Sequence, residues 1–297
     1  MRMRAHPLGE VRAYGELMLT ELRKVIPSFL TRVDQPDRGL RWSEYLSDVR
    51  IRLDGAASGL GTTPETGPSV TLTDFDEDAE NEVIAAALYP YSEKTDVQLL
   101  GLVSNMDEAE RRRIFEDLVG DRANRRHKPG RAMERPHYRF DIVCDFGAFR
   151  DLQRHRLLTI DWQRLSTRLG SAPPDGLIEE GFGDEWETVM DQADHLYEKI
   201  RADIGSDVAQ YVVPLGYNIR FVMEMNAREA FHLTELRSQP AGHPAYRWVA
   251  TEMHRQIKEK AGHRLIADAM KYVDYSDVEW GRLEDERGSE KRRTRDV

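Results

Sequence analysis

Arg154, His155 and Arg156 stand consecutively in the stretch DFGAFRDLQRHRLLTIDWQRLS. A second polar set, Asn226, Arg228, His232, Glu235 and Arg237, stands in MNAREAFHLTELR. Guanidiniums are permanently charged, planar donor forks suited to phosphate, and imidazole can hold or release a proton near neutral pH. These are the donors a bound anion needs. On an ideal helix Arg228 and His232 share a face with Glu235 one turn further on, whereas Arg237 lies roughly 140° around the axis from His232. Arg237 must therefore reach a different part of any common ligand. If helical, Arg154, His155 and Arg156 point about 100° apart and would encircle an extended polyanion rather than grip one small group. A plainer arrangement also fits: Arg228, His232 and Glu235 as a solvated salt-bridged face worth about 0.3–0.5 kcal/mol per pair. The basic run RANRRHKPGR, Arg122 to Arg131, suits either a phosphate-binding loop or a solvated one.

Each polar set follows a stretch of period two. In HYRFDIVCDFG, Tyr138, Phe140, Ile142, Cys144 and Phe146 alternate with Arg139, Asp141 and Asp145, which predicts a strand with one apolar face. In GYNIRFVMEMN, Tyr217, Ile219, Phe221, Met223 and Met225 do the same. The second strand leads into a helix whose Asn226 and Glu229 stand at capping-box spacing. Further helices are expected over DAENEVIAAALYP, MDEAERRRIFEDLVG, EWETVMDQADHLYEKIRADIG and from Pro244 onward. VRAYGELMLTELRKVIPSFL predicts an amphipathic helix, with Leu17, Leu19, Leu22 and Ile26 as its buried stripe and Pro27 as its end. This reading divides the chain into an N-terminal helical segment (1–54), a Gly/Pro-rich linker (55–70), a main domain (71–280) and a charged tail (281–297) expected to be disordered. The expected fold class is α+β (α/β).

With 53 acidic against 43 basic residues, the formal charge of −10 disfavours general attraction to nucleic acid or to an anionic membrane. Any anion must be captured locally. No apolar run approaches the roughly 20 residues of a membrane span, and the first residues lack an apolar stretch of secretory-signal length. The expected location is cytoplasmic. The single cysteine, Cys144, forbids an intrachain disulfide and reads as a small buried hydrophobe rather than a nucleophile. HExxH, paired CxxC, P-loop and GxSxG signatures are missing, so no metal site is expected.

The two polar sets resemble the flavin-dependent thymidylate synthases, often called ThyX. That family shares an RHR element followed seven residues later by serine, and a downstream helix of pattern N-x-R-x-x-x-(H/N)-x-x-x-L-R. Here Arg154-His155-Arg156 matches the first, while Asn226, Arg228, His232 and Leu236-Arg237 match the second. RAMERPHYRF and PAYRWVATEM resemble neighbouring family stretches, so the similarity covers roughly residues 70 to 260. The resemblance implies a core of antiparallel strands packed against long helices and a flavin site shared between subunits of a homotetramer. It also implies a reaction in which reduced FAD relays a methylene from methylene-tetrahydrofolate to dUMP, with NADPH as reductant and no enzymic cysteine. By the same resemblance, Arg154, His155, Arg156, Asn226, Arg228 and His232 fall at flavin-contacting positions, and Arg237 at the position of an arginine that polarises the uracil ring.

At the nucleotide positions this chain departs from the family. Asp151 stands where glutamine is common, Trp162 in place of glutamate, Arg164 in place of the serine, Ser166 in place of an arginine, and Gln210 at another arginine position. Losing an arginine removes a charge-assisted contact, and a carboxylate repels a dianion unless it is paired. Asp151, Arg164, Ser166 and Gln210 are therefore the candidate residues of an altered dUMP site, and weak or absent thymidylate synthesis by the isolated chain is the expectation. The alternatives are a non-catalytic partner or scaffold, one half of a tandem form, or a flavoenzyme with another substrate.

Overall fold

A computed structural model of the chain describes residues 1–61, 63, 65–174, 176–276, 287, 288, 290 and 291. The chain divides into two units, Met1–Glu65 with Gln192–Val212, and Thr66–Asp191 with Val213–Val297. The first unit contains α1 (Gly9–Val25), α2 (Pro27–Leu30), a π-helical turn at Pro36–Leu40 and α3 (Arg41–Ala57). To these it adds most of a long helix, α8 (Gly183–Asp203), and the short α9 (Ser206–Ala209). Pro27 does end α1, as its missing N–H and ring require. The expected buried stripe is not formed. Leu19 alone is buried, whereas Leu17, Leu22 and Ile26 stay exposed. The reason lies in how α1 is fastened: Arg4 bonds Glu16 at 2.5 and 2.9 Å and Asp34 at 3.1 Å, so the charged side carries the local contacts.

The second unit holds β1 (Ser69–Phe75), α4 (Ala79–Leu88), α5 (Asp96–Ser104), α6 (Glu108–Val119), β2 (His137–Asp145), α7 (Phe146–Leu152) and β3 (Leu158–Trp162). It continues with β4 (Asn218–Asn226), α10 (Ala227–Arg237), α11 (Pro244–Glu259) and α12 (Arg264–Ala269). The four strands form one antiparallel sheet in the order β1-β2-β4-β3, so the fold is α+β. β2 and β4 are the two strands expected from their alternation, and they pair along their full length, from His137 opposite Asn226 to Asp145 opposite Asn218. β1 and β3 were not expected. Each is an edge strand with only partial alternation, and their positions are set by the central pair.

The sheet's two faces explain the alternation. Tyr138, Phe140, Ile142, Cys144, Ile219, Phe221, Met223 and Met225 enter the core beneath α10 and α11. The other face carries a ladder of ion pairs: Arg139 to Asp74 at 2.9 Å, Arg139 to Glu224 at 3.7 Å and Arg220 to Asp141 at 2.9 Å. α11 also closes the β1 edge. The Gln256 amide accepts from the Leu72 N–H at 2.7 Å and donates to the Val70 carbonyl at 2.6 Å, standing in for a neighbouring strand. No helix among the described residues is long and apolar enough to cross a membrane. Most of the expected disordered tail, 281–297, lies outside the described residues.

Candidate functional site

Both central strands end in a capped helix start. Asp145 ends β2, and its Oδ1 accepts the Ala148 N–H at 2.8 Å, which starts α7. Asn226 ends β4, and its Oδ1 accepts the Glu229 N–H at 2.9 Å, which starts α10. The Glu229 carboxylate does not turn back to complete a capping box. It points instead to the residues that follow α7.

Those residues are not helical. α7 stops at Leu152, and Arg154, His155 and Arg156 form the turn into β3, so they do not fan out at helical intervals. His155 turns inward and is buried, while Arg154 and Arg156 face out. His155 Nδ1 lies 2.8 Å from Glu229 Oε1, and Arg237 Nε donates to His155 Nε2 at 3.1 Å. An imidazole that accepts at Nε2 must carry its proton on Nδ1, so the neutral ring donates to Glu229. His232, one turn along from Glu229, brings its Nδ1 to 3.3 and 3.4 Å from the same carboxylate. Burial alone would raise the Glu229 pKa, but the hydrogen bonds from His155 and His232 outweigh it and hold the carboxyl down to about 2.

Arg237 completes the network. Its Nη2 donates to the Asp151 carbonyl at 2.6 Å, its Nη1 lies 3.4 Å from the Asp151 carboxylate, and its guanidinium stands 5.4 Å from the Tyr246 ring centre. The expected separation of Arg237 from the face of His232 holds around α10, yet both reach His155 from their own sides. Asp151 also receives Arg154 at 3.3 Å. With two arginines on it, Asp151 is the paired carboxylate, and the repulsion argument against an anion loses its force.

Arg228 points elsewhere, donating to the Pro129 carbonyl at 3.0 Å and to Glu134 at 3.3 Å, which ties α10 to the loop before β2. The solvated-face arrangement fails for Glu235. That residue is buried in a two-pronged ion pair with Arg122, at 2.7 and 2.5 Å, and Arg122 lies between the Phe231 and Tyr272 rings. One arginine of the basic run is therefore structural. Trp162 is exposed at the end of β3, Arg164 lies in the loop that follows, and Ser166 accepts the Arg168 N–H at 3.4 Å. Gln210 belongs to the other unit, where its amide donates to the Asp207 carbonyl at 3.3 Å. Cys144 is buried on the apolar face, and burial pushes its thiol pKa well up, as a packing role requires.

His155, Glu229 and His232 each offer a ligand atom, all within 4.8 Å of one another. A cation there would have to displace the His155–Glu229 hydrogen bond. The outward groups suit an anion better, because Arg154 is 69% exposed at its side chain and Arg156 is also exposed, with Arg228 and His232 partly so. Glu229 is the residue whose role the motifs understated. The available signal was its place three residues before His232, one helical turn away.

Comparison with known proteins places these residues among relatives. The sequence model of the family described as thymidylate synthase complementing protein matches residues 71–262. A UPF0159 protein of Chlamydia muridarum is 38% identical over 288 residues, covering 96% of this chain and 54% of that protein. A UPF0159 protein of Thermoplasma acidophilum is 35% identical over 203 residues, covering 68% of this chain and 40% of its own length. The chain thus spans about half the length of the chlamydial relative. Among solved structures, that of the UMP/dUMP methylase PolB from Streptomyces cacaoi, bound with 5-Br dUMP, aligns with a TM-score of 0.52 at 18% identity. The alignment covers 71% of this chain and 99% of PolB, a likeness of fold.

Proposed function

We propose, from the premise that this chain belongs to the thymidylate synthase complementing protein family, that it binds FAD at the corner between α7 and α10 and serves the methylation of a uracil nucleotide. The observation that carries this reading is the chain of contacts Glu229–His155–Arg237–Asp151, which joins the two motif stretches in one network. The donor set fits a flavin dinucleotide. Exposed guanidiniums of Arg154 and Arg156 suit a diphosphate, and the half-exposed His232 and Arg228 offer N–H donors to a carbonyl-rich ring edge.

When bound, the flavin supplies the reducing equivalents that turn a transferred methylene into a methyl group. The chain's own part is positioning. Glu229 holds His155 in the Nδ1–H tautomer, His155 presents Nε2 to Arg237, and Asp151 anchors the far side of that guanidinium. Arg237 is thereby oriented as a fixed positive group that can polarise a uracil carbonyl. NADPH and methylene-tetrahydrofolate are the co-substrates this reading requires, and a homotetramer is its natural assembly.

PolB is described as acting on UMP and dUMP, so both nucleotides belong in the test. With Asp151 paired to two arginines, the losses left at the nucleotide positions are the arginines replaced by Ser166 and Gln210, and the new Arg164 offsets one of them. One lost charge-assisted contact of about 1.5–3 kcal/mol weakens binding by one to two decades. The measurement is tritium release from 5-labelled dUMP or UMP by FAD-loaded protein. Slow release, removed by Arg237→Ala, is expected; colourless protein that ignores added FAD defeats the reading. FAD binding with no release from either nucleotide favours the scaffold alternative.

A further inference from the structure

We propose that the second unit carries another small-molecule site, a cavity that takes a neutral, flat aromatic heterocycle by accepting its N–H on Asn218 Oδ1. The cavity has a volume of about 650 Å³, within the range of small-molecule pockets. Its walls include Trp186, Pro174, Leu215 and Trp248, and Asp145, Asn218 and His243, whose Nδ1 accepts the Ala245 N–H at 3.3 Å, supply side-chain polarity. It shares no residue with the Glu229–His155–Arg237–Asp151 network. It lies against the pair Asp145–Asn218, the end of the β2–β4 ladder opposite to His137–Asn226.

Asn218 is the reason to expect a ligand. The residue is 1% exposed, its Nδ2 donates to the Leu169 carbonyl at 3.1 Å, and its Oδ1 has no partner among the described residues. Turning the amide over would set oxygen against the Leu169 oxygen, so the open group is the acceptor. A buried acceptor left unpaired is unfavourable, and a donor arriving with a ligand relieves it. Asp145 spends one oxygen on the α7 cap and stands at the cavity wall, where a carboxylate repels anions and hence phosphorylated ligands.

The wall is built for a flat partner. Gly216 lets the Trp186 indole lie against the backbone: a Cβ at that position would come within 2.4 Å of the ring's Cη2. Aromatic walls favour planar rings through offset or edge-on contact.

The test uses indole as probe and 1-methylindole, which lacks the N–H, as control, each titrated into the full chain by ligand-observed NMR. Indole is expected to bind, with 1-methylindole at least fivefold weaker. Gly216→Ala, which displaces Trp186, and Trp248→Ala are each expected to weaken indole at least fivefold while cooperative thermal unfolding is retained. The probe pair decides the Asn218 contact even if either variant fails to fold. Absence of indole binding at millimolar concentration, equal affinity for the two probes, or displacement of indole by FAD would overturn the proposal.

Discussion

Glu229 shows burial and pairing in opposition, and pairing prevails. Its pKa is depressed from an ordinary 4.5 to about 2, so its contribution to stability is fully present above pH 4.5 and is lost as pH falls through about 2. Glu229→Gln should remove up to about 3 kcal/mol at neutral pH and flatten the stability profile between those values, as read by urea melts across pH. An unchanged acid limb would mean that the network does not hold Glu229 ionised. Arg154 makes the opposite kind of contact, a largely exposed pair with Asp151. Arg154→Ala should leave the melting temperature almost unchanged yet weaken FAD at least tenfold, about 1.4 kcal/mol, by absorbance titration. Equal FAD affinity would reduce Arg154 to a surface ion pair. Cys144 should resist a thiol reagent in the native protein and react only on unfolding, since burial disfavours its thiolate.

The elements that set this site are α7 and α10, each started by a side chain at the end of a central strand. Asn226→Ala should cost about 1 kcal/mol through the lost cap, with Asn226→Asp restoring most of it, as measured by chemical denaturation. Behind α10, the Arg122–Glu235 pair binds the basic loop to the helix from within the core. Glu235→Ala leaves an arginine buried without its partner and should cost about 3–5 kcal/mol. A loss of only a few tenths would restore the solvated-face arrangement. The capped start of α10 was legible because an N-cap residue acts locally. The inward turn of His155 was not, because nothing in three consecutive polar residues says that α7 will stop at Leu152.

For the molecule as a whole, the negative net charge leaves anion capture to local clusters, and the exposed arginines beside α7 are such a cluster. If the flavin site is completed by a second subunit, light scattering of the FAD-loaded chain should return a tetramer. A strict monomer that still binds FAD would confine the site to one chain. The family match ends at residue 262 and begins at 71, so the three helices of the first 65 residues stand outside it.

What the order of residues determined by itself is short-range. Alternation in β2 and β4 follows from a period of two against one buried face, and α10 follows from Asn226 at a strand end before a helical repeat. The motif spacing was enough to mark the donors. Tertiary structure decided what those donors do, because partners 74 to 86 residues apart meet only when β2 and β4 pair. Pairing then set the charges: Asp151 lies between two arginines, Glu229 is held ionised between two histidines against its burial, and Glu235 is paired inside the core. Local pattern carries propensity, but whether a carboxylate repels, anchors or orients depends on neighbours that only the folded chain supplies.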